Sequence, residues 1–108
     1  MDRAQYDGVI NMLGIPAEFH QAKVPATALK MSVGISTMKK DDPLINSYGV
    51  GTKIITLKES ALGAIVPEKF DFVLINNGAE KVVFEIALPV HEPKTGAVIG
   101  YRCVSKGK

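Results

Sequence analysis

Gly49-Val50-Gly51-Thr52-Lys53 is the stretch closest in type to a phosphate cradle. A P-loop sets four residues between its glycines, puts a lysine directly after the second, and leads into a helix whose N-terminus meets the phosphate. Here Val50 alone separates the glycines, Thr52 precedes Lys53, and the chain runs on into the β-branched Ile54-Ile55-Thr56. The spacing rules out that geometry and leaves the glycines as turn formers. Asp41-Asp42 offers two carboxylates, but a calcium loop spaces its oxygen ligands at alternate positions. Adjacent acids before Pro43 read as the start of a solvated turn. His20 and His91 are far apart in the chain, and Cys103 is the single cysteine, so neither a zinc set nor an internal disulfide is expected. Asp71 and Glu85 could form a carboxylate pair only if the fold set them face to face, and a solvent-facing strand acid is the plainer reading of each. There is no Gly-x-Ser-x-Gly and no His-Glu-x-x-His. The expectation is a protein without catalytic residues, cofactor or metal.

The elements that would position these residues follow from periodicity. Tyr6, Val9, Ile10 and Leu13 recur at helical spacing. Asp2 can cap their helix, and Gly14 with Pro16 ends it, predicting a helix over 2–14. Thereafter the period is two. Residues 28–36 alternate, with Leu29, Met31, Val33 and Ile35 on one face, and a shorter strand is expected just before them over 17–23. Residues 53–60 form a β-branched strand, followed by a turn or single helical turn. Residues 70–76 are apolar on both faces, with Phe70 and Phe72 read as core. Asn77-Gly78 suits a tight hairpin because both residues tolerate positive φ. Phe84, Ile86 and Leu88 share a face of the next strand, and Ile99, Tyr101 and Cys103 point inward from the last. The fold class is mainly β: one domain over 1–108, a small antiparallel barrel or sandwich of five to six strands over 17–105, with one N-terminal helix. The long break between strands, 38–52, is expected to be mobile.

Composition narrows the partners. At 108 residues a single core can bury roughly two-thirds of the unfolded surface. The 13 basic and 11 acidic residues nearly balance and lack a basic stripe, which argues against a dedicated nucleic-acid domain. Only Tyr48, and Tyr101 with Arg102, are placed to stack on bases. Residues 1–5 lack the apolar region of a signal peptide, and no run approaches the length of a membrane span. The Lys106-Gly107-Lys108 tail reads as solvated.

The segment Lys39-Lys40-Asp41-Asp42-Pro43-Leu44-Ile45, with Ser47-Tyr48-Gly49 and Gly51, lies between two strands. It is followed by "IITLKESALGAIVPEKFDFVLI", by Phe84 before a proline-containing stretch, and by the closing "GAVIGYRCVSKG". This order resembles the head–tail joining (tail-attachment) proteins of long-tailed, lambda-like bacteriophages over residues 28–107. The resemblance implies a small, non-enzymatic, barrel-like virion protein. Such a protein adds to the filled head and provides the ring on which the tail docks. Its implied partners are head-completion or portal-side proteins and tail-terminator proteins. It is implied to be monomeric when isolated and a ring homo-oligomer on assembly, with no membrane and no specific nucleic acid. Its implied location is the head–tail interface of the virion, and the host cytoplasm during assembly. The loop is implied to be flexible in the free protein and ordered on assembly. Its partner-binding residues would be Lys39, Lys40, Asp41, Asp42, Pro43, Leu44, Ile45 and Tyr48, with Leu44, Ile45 and Tyr48 as apolar anchors. The rival reading is a small OB-like binding module for nucleic acid or peptide.

Overall fold

The computed structural model describes residues 2–105, without the side chains of residues 25–27 and 46. The expectation for the 106–108 tail lies outside the described residues. The elements run α1 (Arg3–Leu13), β1 (Ile15–Gln21), β2 (Val24–Thr37), α2 (Ile45–Tyr48), β3 (Lys53–Lys58), α3 (Glu59–Leu62), β4 (Phe72–Ile75), β5 (Glu80–His91) and β6 (Val98–Ser105). The strands close into a barrel in the order β1-β2-β3-β6-β5-β4, every neighbour antiparallel. The expected small antiparallel barrel with an N-terminal helix is therefore what the chain forms.

Alternation decides which side chains fill the interior. Ala17 and Phe19 of β1, Val33 of β2, Ile55 and Leu57 of β3, Val73 and Ile75 of β4, Val82 and Phe84 of β5, and Tyr101 and Cys103 of β6 form one buried cluster. The rings of Phe19 and Phe84 stack within it, centroids 6.3 Å apart. Ile35 faces the same way as its partner Ile55, but β1 pairs with β2 only as far as Val33, so Ile35 sits at the rim and is partly exposed. The shared face expected for Phe84, Ile86 and Leu88 is interrupted. A register shift between Phe84 and Ile86 inserts Glu85 as an extra residue opposite β6. Such a bulge inverts the alternation that follows. Phe84 and Ala87 consequently pack on the interior cluster, while Ile86 turns to the outer face.

Two other expectations shift. Residues 70–76 are strand only over Phe72–Ile75, because Phe70 adopts φ 77° and is half exposed. That conformation is unusual for a bulky residue, and it is fixed by its neighbours. The Phe70 N–H donates to the Phe84 carbonyl at 2.9 Å. The buried Asp71 carboxylate accepts from the N–H groups of Ala22 at 2.8 Å and Glu68 at 2.9 Å. The hairpin after β4 spans four residues, and Asn77 and Gly78 take the positive φ expected of them, with Asn76 joining them.

Helix α1 lies on the outside of the barrel. Asp2 and Gln5 form a reciprocal capping box at its start. Tyr6 and Ile10 pack on Ile99. Ile99, expected to point inward, is the extra residue at a second register shift, between Val90 and His91, and joins this outer patch instead. Arg3 joins Glu59 at 2.6 Å and the Val98 carbonyl at 3.1 Å. The contact stripe is thus centred on Arg3, Tyr6 and Ile10. Val9 and Leu13, expected on that face, are exposed. The Tyr6 hydroxyl donates to the Leu57 carbonyl, and its ring lies directly over Gly100. A Cβ at Gly100 would fall 2.4 Å from both that ring and the Leu57 carbonyl. Gly100→Ala is therefore expected to destabilise by about 1–3 kcal/mol through overpacking. Gly8→Ala, whose Cβ would meet nothing within 4 Å, should stabilise by up to about 1 kcal/mol. Urea unfolding of the two variants reads both signs.

The expectation that Cys103 is a core residue is met: its side chain is fully buried, and burial pushes its thiol pKa up. Iodoacetamide at mildly alkaline pH should leave native Cys103 unmodified and label it rapidly in denaturant. Equal rates in the two states would show that the wall around it opens freely.

Candidate functional site

The long break between β2 and β3 is a structured strap. At its neck the Met38 N–H donates to the Thr52 carbonyl at 2.8 Å, and the Gly51 N–H donates back to the Met38 carbonyl at 3.0 Å. Gly49 and Gly51 stand at φ 88° and 87°, a region closed to most side chains, and they turn the chain back into β3. Between them and β2, residues 45–48 form the single helical turn α2, closed by the Gly49 N–H on the Ile45 carbonyl at 2.8 Å. The Thr52 hydroxyl donates to the Tyr48 carbonyl at 2.7 Å, tying the end of that turn to the neck.

The underside of the strap is apolar. Leu44, Ile45 and Tyr48 pack on a floor of Met38, Ile54 and Val104, with Ile86 beside them. Ile54 lies on the outer face of β3, Val104 on that of β6, and Ile86 is the residue that the bulge in β5 turned outward. The expected position of Leu44, Ile45 and Tyr48 as free anchors is therefore revised: all three are half-buried against their own barrel. The physical reason is that β3 and β6 carry apolar residues on both faces, and the outer ones need a cover.

One side-chain ion pair ties the strap's tip to the barrel. Asp42 Oδ1 accepts the Leu44 N–H at 2.9 Å, and Asp42 Oδ2 receives the Arg102 guanidinium. The Leu44 N–H first, and then Arg102, hold the Asp42 carboxyl below its ordinary pKa. Arg102 projects from β6 in a cross-strand row with Thr56 and Leu88, which separates the floor beneath the strap from the patch beneath α1. Lys39, Lys40, Asp41 and Pro43 are exposed on the upper side, and Val50 is exposed at the bend. Thus the structure brings Asp42, Leu44, Ile45 and Tyr48 together on the barrel and leaves Lys39, Lys40, Asp41 and Pro43 facing solvent.

Beside the strap lies a cleft of about 780 Å³, lined by Tyr48, Val50, Thr52, Lys53, Glu80 and Val82 among others, with Lys53 and Glu80 ion-paired across it. A second, of about 730 Å³, lies between β1, β2 and β4 near Pro16, Lys30 and Leu74. Neither is lined by histidine or cysteine. The two carboxylates of the imagined pair are separately engaged, Asp71 by backbone N–H groups and Glu85 by Lys69 at 3.2 Å. His20 Nε2 lies 2.6 Å from Glu18 and its ring stacks on Phe72, while His91 Nδ1 lies 2.9 Å from the Gly96 carbonyl. Among the described residues, no three His, Cys, Asp or Glu side chains converge as metal ligands, and no helix is long and apolar enough to cross a membrane.

The residues placed for base stacking are otherwise occupied. Tyr101 is buried in the barrel, Arg102 is held by Asp42, and Tyr48 lies on Val104. Phe72 is the aromatic that looks outward from β4, and it already has His20 stacked on it and the Lys81 ammonium 4.3 Å from its centroid.

Sequence reasoning missed Arg102, Met38, Ile54, Ile86 and Val104 as parts of this site. One signal was available: Ile54-Ile55 and Cys103-Val104 are adjacent apolar pairs, which a strand can hold only if both of its faces are covered. No protein-family model matches the chain, and the comparison with curated proteins finds no match.

Proposed function

We propose that this protein is a structural assembly subunit, a head–tail joining protein of a long-tailed bacteriophage, with the strap as its partner-binding element. The reading rests on the sequence resemblance together with one observation. A small closed barrel presents a segment of mixed charge, Lys39-Lys40-Asp41 and Pro43, on its outer surface, supported by an apolar turn rather than by a catalytic constellation. Charges of both signs suit orientation of a docking partner more than raw affinity. In this reading the subunits add to the filled head at its portal side, form a ring there, and receive the tail through its terminator protein.

The test is complementation. Filled heads and tails assembled without this protein should remain separate, and purified protein should convert them to joined, infectious particles. Joining at the same yield without it would sink the reading. The rival, a nucleic-acid-binding barrel, is decided by titration with single-stranded DNA at physiological salt. The near-balanced charge and the occupied aromatic residues predict weak, nonspecific binding. Sub-micromolar affinity with a steep salt dependence would put the rival first.

A further inference from the structure

We propose that the docked strap is a self-occluding latch: in the free subunit the Asp42–Arg102 ion pair holds Leu44, Ile45 and Tyr48 against the barrel, and joining requires their release. The inference rests on the head–tail reading for the identity of the partner, but the latch itself rests on geometry. The three apolar side chains that the head–tail reading makes its anchors, Leu44, Ile45 and Tyr48, are those packed on Met38, Ile54 and Val104. They cannot contact a second protein through the same surfaces while the strap is down.

What holds the strap down is small and divisible. Its neck is two backbone hydrogen bonds between Met38 and residues 51–52, which need not break when the tip lifts. Its tip is held by the apolar contact, by one side-chain ion pair to the barrel, Asp42 to Arg102, and by the Thr52 hydroxyl on the Tyr48 carbonyl. Gly49 lies between the tip and the neck on the β3 side, and Gly51 opens the neck itself; at both glycines backbone rotation is least hindered. On the other side, the exposed Lys39-Lys40-Asp41 links β2 to the tip. A partner offering charges that compete for Asp42 or Arg102 would loosen the tip and gain the three apolar side chains in the same step. A subunit with its anchors covered would resist association until that partner surface is present.

The test uses the whole protein with Asp42→Asn, Arg102→Gln and Arg102→Lys. Asp42→Asn keeps the acceptor for the Leu44 N–H but loses the charge, and Arg102→Lys keeps the charge. Hydrogen exchange should quicken about fivefold at strap amides 44–49 in Asp42→Asn and Arg102→Gln. It should stay near the wild-type rate in Arg102→Lys, and at Ile55, Leu57 and Cys103 in every variant. Unchanged strap exchange in Arg102→Gln overturns the latch, as does equal acceleration throughout the barrel. In the joining assay the released variants should reach half-maximal joining at a lower protein concentration than wild type, and a higher requirement overturns the self-occlusion. If exchange behaves as expected while wild type joins no heads to tails, the latch stands and the head–tail reading falls.

Discussion

Alanine in place of Phe84 should lower the stability of the barrel by about 3–5 kcal/mol, the range for removing a fully buried phenylalanine ring. Phe84 has no exposed surface, packs on Phe19, and occupies the last interior position of β5 before the bulge. The backbone is fixed on both sides: residues 70–71 on one, with the Phe84 N–H donating to the Asp71 carbonyl and its carbonyl accepting from Phe70, and Ser105 of β6 paired with Phe84 on the other. The walls of the cavity therefore have little freedom to collapse. A domain of ordinary stability has about 5–15 kcal/mol in total, so the loss is a large share of it. Phe70, whose N–H meets the Phe84 carbonyl but whose ring is half exposed, provides the control. Alanine there should change stability by no more than about 1 kcal/mol. Urea unfolding with an unchanged m-value distinguishes the two sites. Similar losses at both would mean that the interior is more loosely packed than the geometry requires.

That contrast marks how far the sequence could be read. The alternation in residues 28–36 and 53–58 shows those strands and most of their inward faces, because their ladders run there without a shift. By contrast, β6 meets β5 with two register shifts, and only Tyr101 and Cys103 keep the inward face expected of it. Phe70 and Phe72 look like core by type, yet the chain turns at Phe70 because Asp71 gathers two backbone N–H groups from different loops. No local pattern contains that long-range contact. The bulge at Glu85 is equally silent. It is a mismatch of length between β5 and β6, defined only when the two pair, and it moves Ile86 from the expected face to the strap floor.

The strap is where the structure departs most from the expected mobile loop, and the cause is specific. Glycine, proline and four charges over 39–52 have the composition of a mobile loop. Composition says nothing about what lies beneath. Leu44, Ile45 and Tyr48 are spaced i, i+1, i+4, as on one side of a helical turn, and the paired apolar residues of β3 and β6 demand a cover. Taken together, those two patterns point to a docked turn. What neither contains is Arg102 meeting Asp42, 60 positions away in the chain.

Serine at 44, 45 and 48 together should consequently destabilise the protein by about 2–4 kcal/mol, since three half-buried side chains each give up part of the ~1.5–3 kcal/mol of full burial. A freely mobile arm would show almost no change. The loss also has a ceiling, because the variant can unfasten its strap and leave the barrel closed. Global unfolding then loses only the free energy with which the strap docks, and any further cost is relieved locally. Two measurements separate these contributions. The urea midpoint should fall to that ceiling, while exchange at Ile55, Leu57 and Cys103 should slow or quicken only in step with the global change. Amides 44–49 should exchange as in an unstructured peptide. Joining of heads to tails should be lost as well, because the side chains that leave the floor are those the partner would receive. A variant that unfolds at the wild-type midpoint would show that the strap does not dock in solution. One that is destabilised yet joins normally would confine these residues to the floor contact and move the partner surface to the exposed Lys39, Lys40, Asp41 and Pro43.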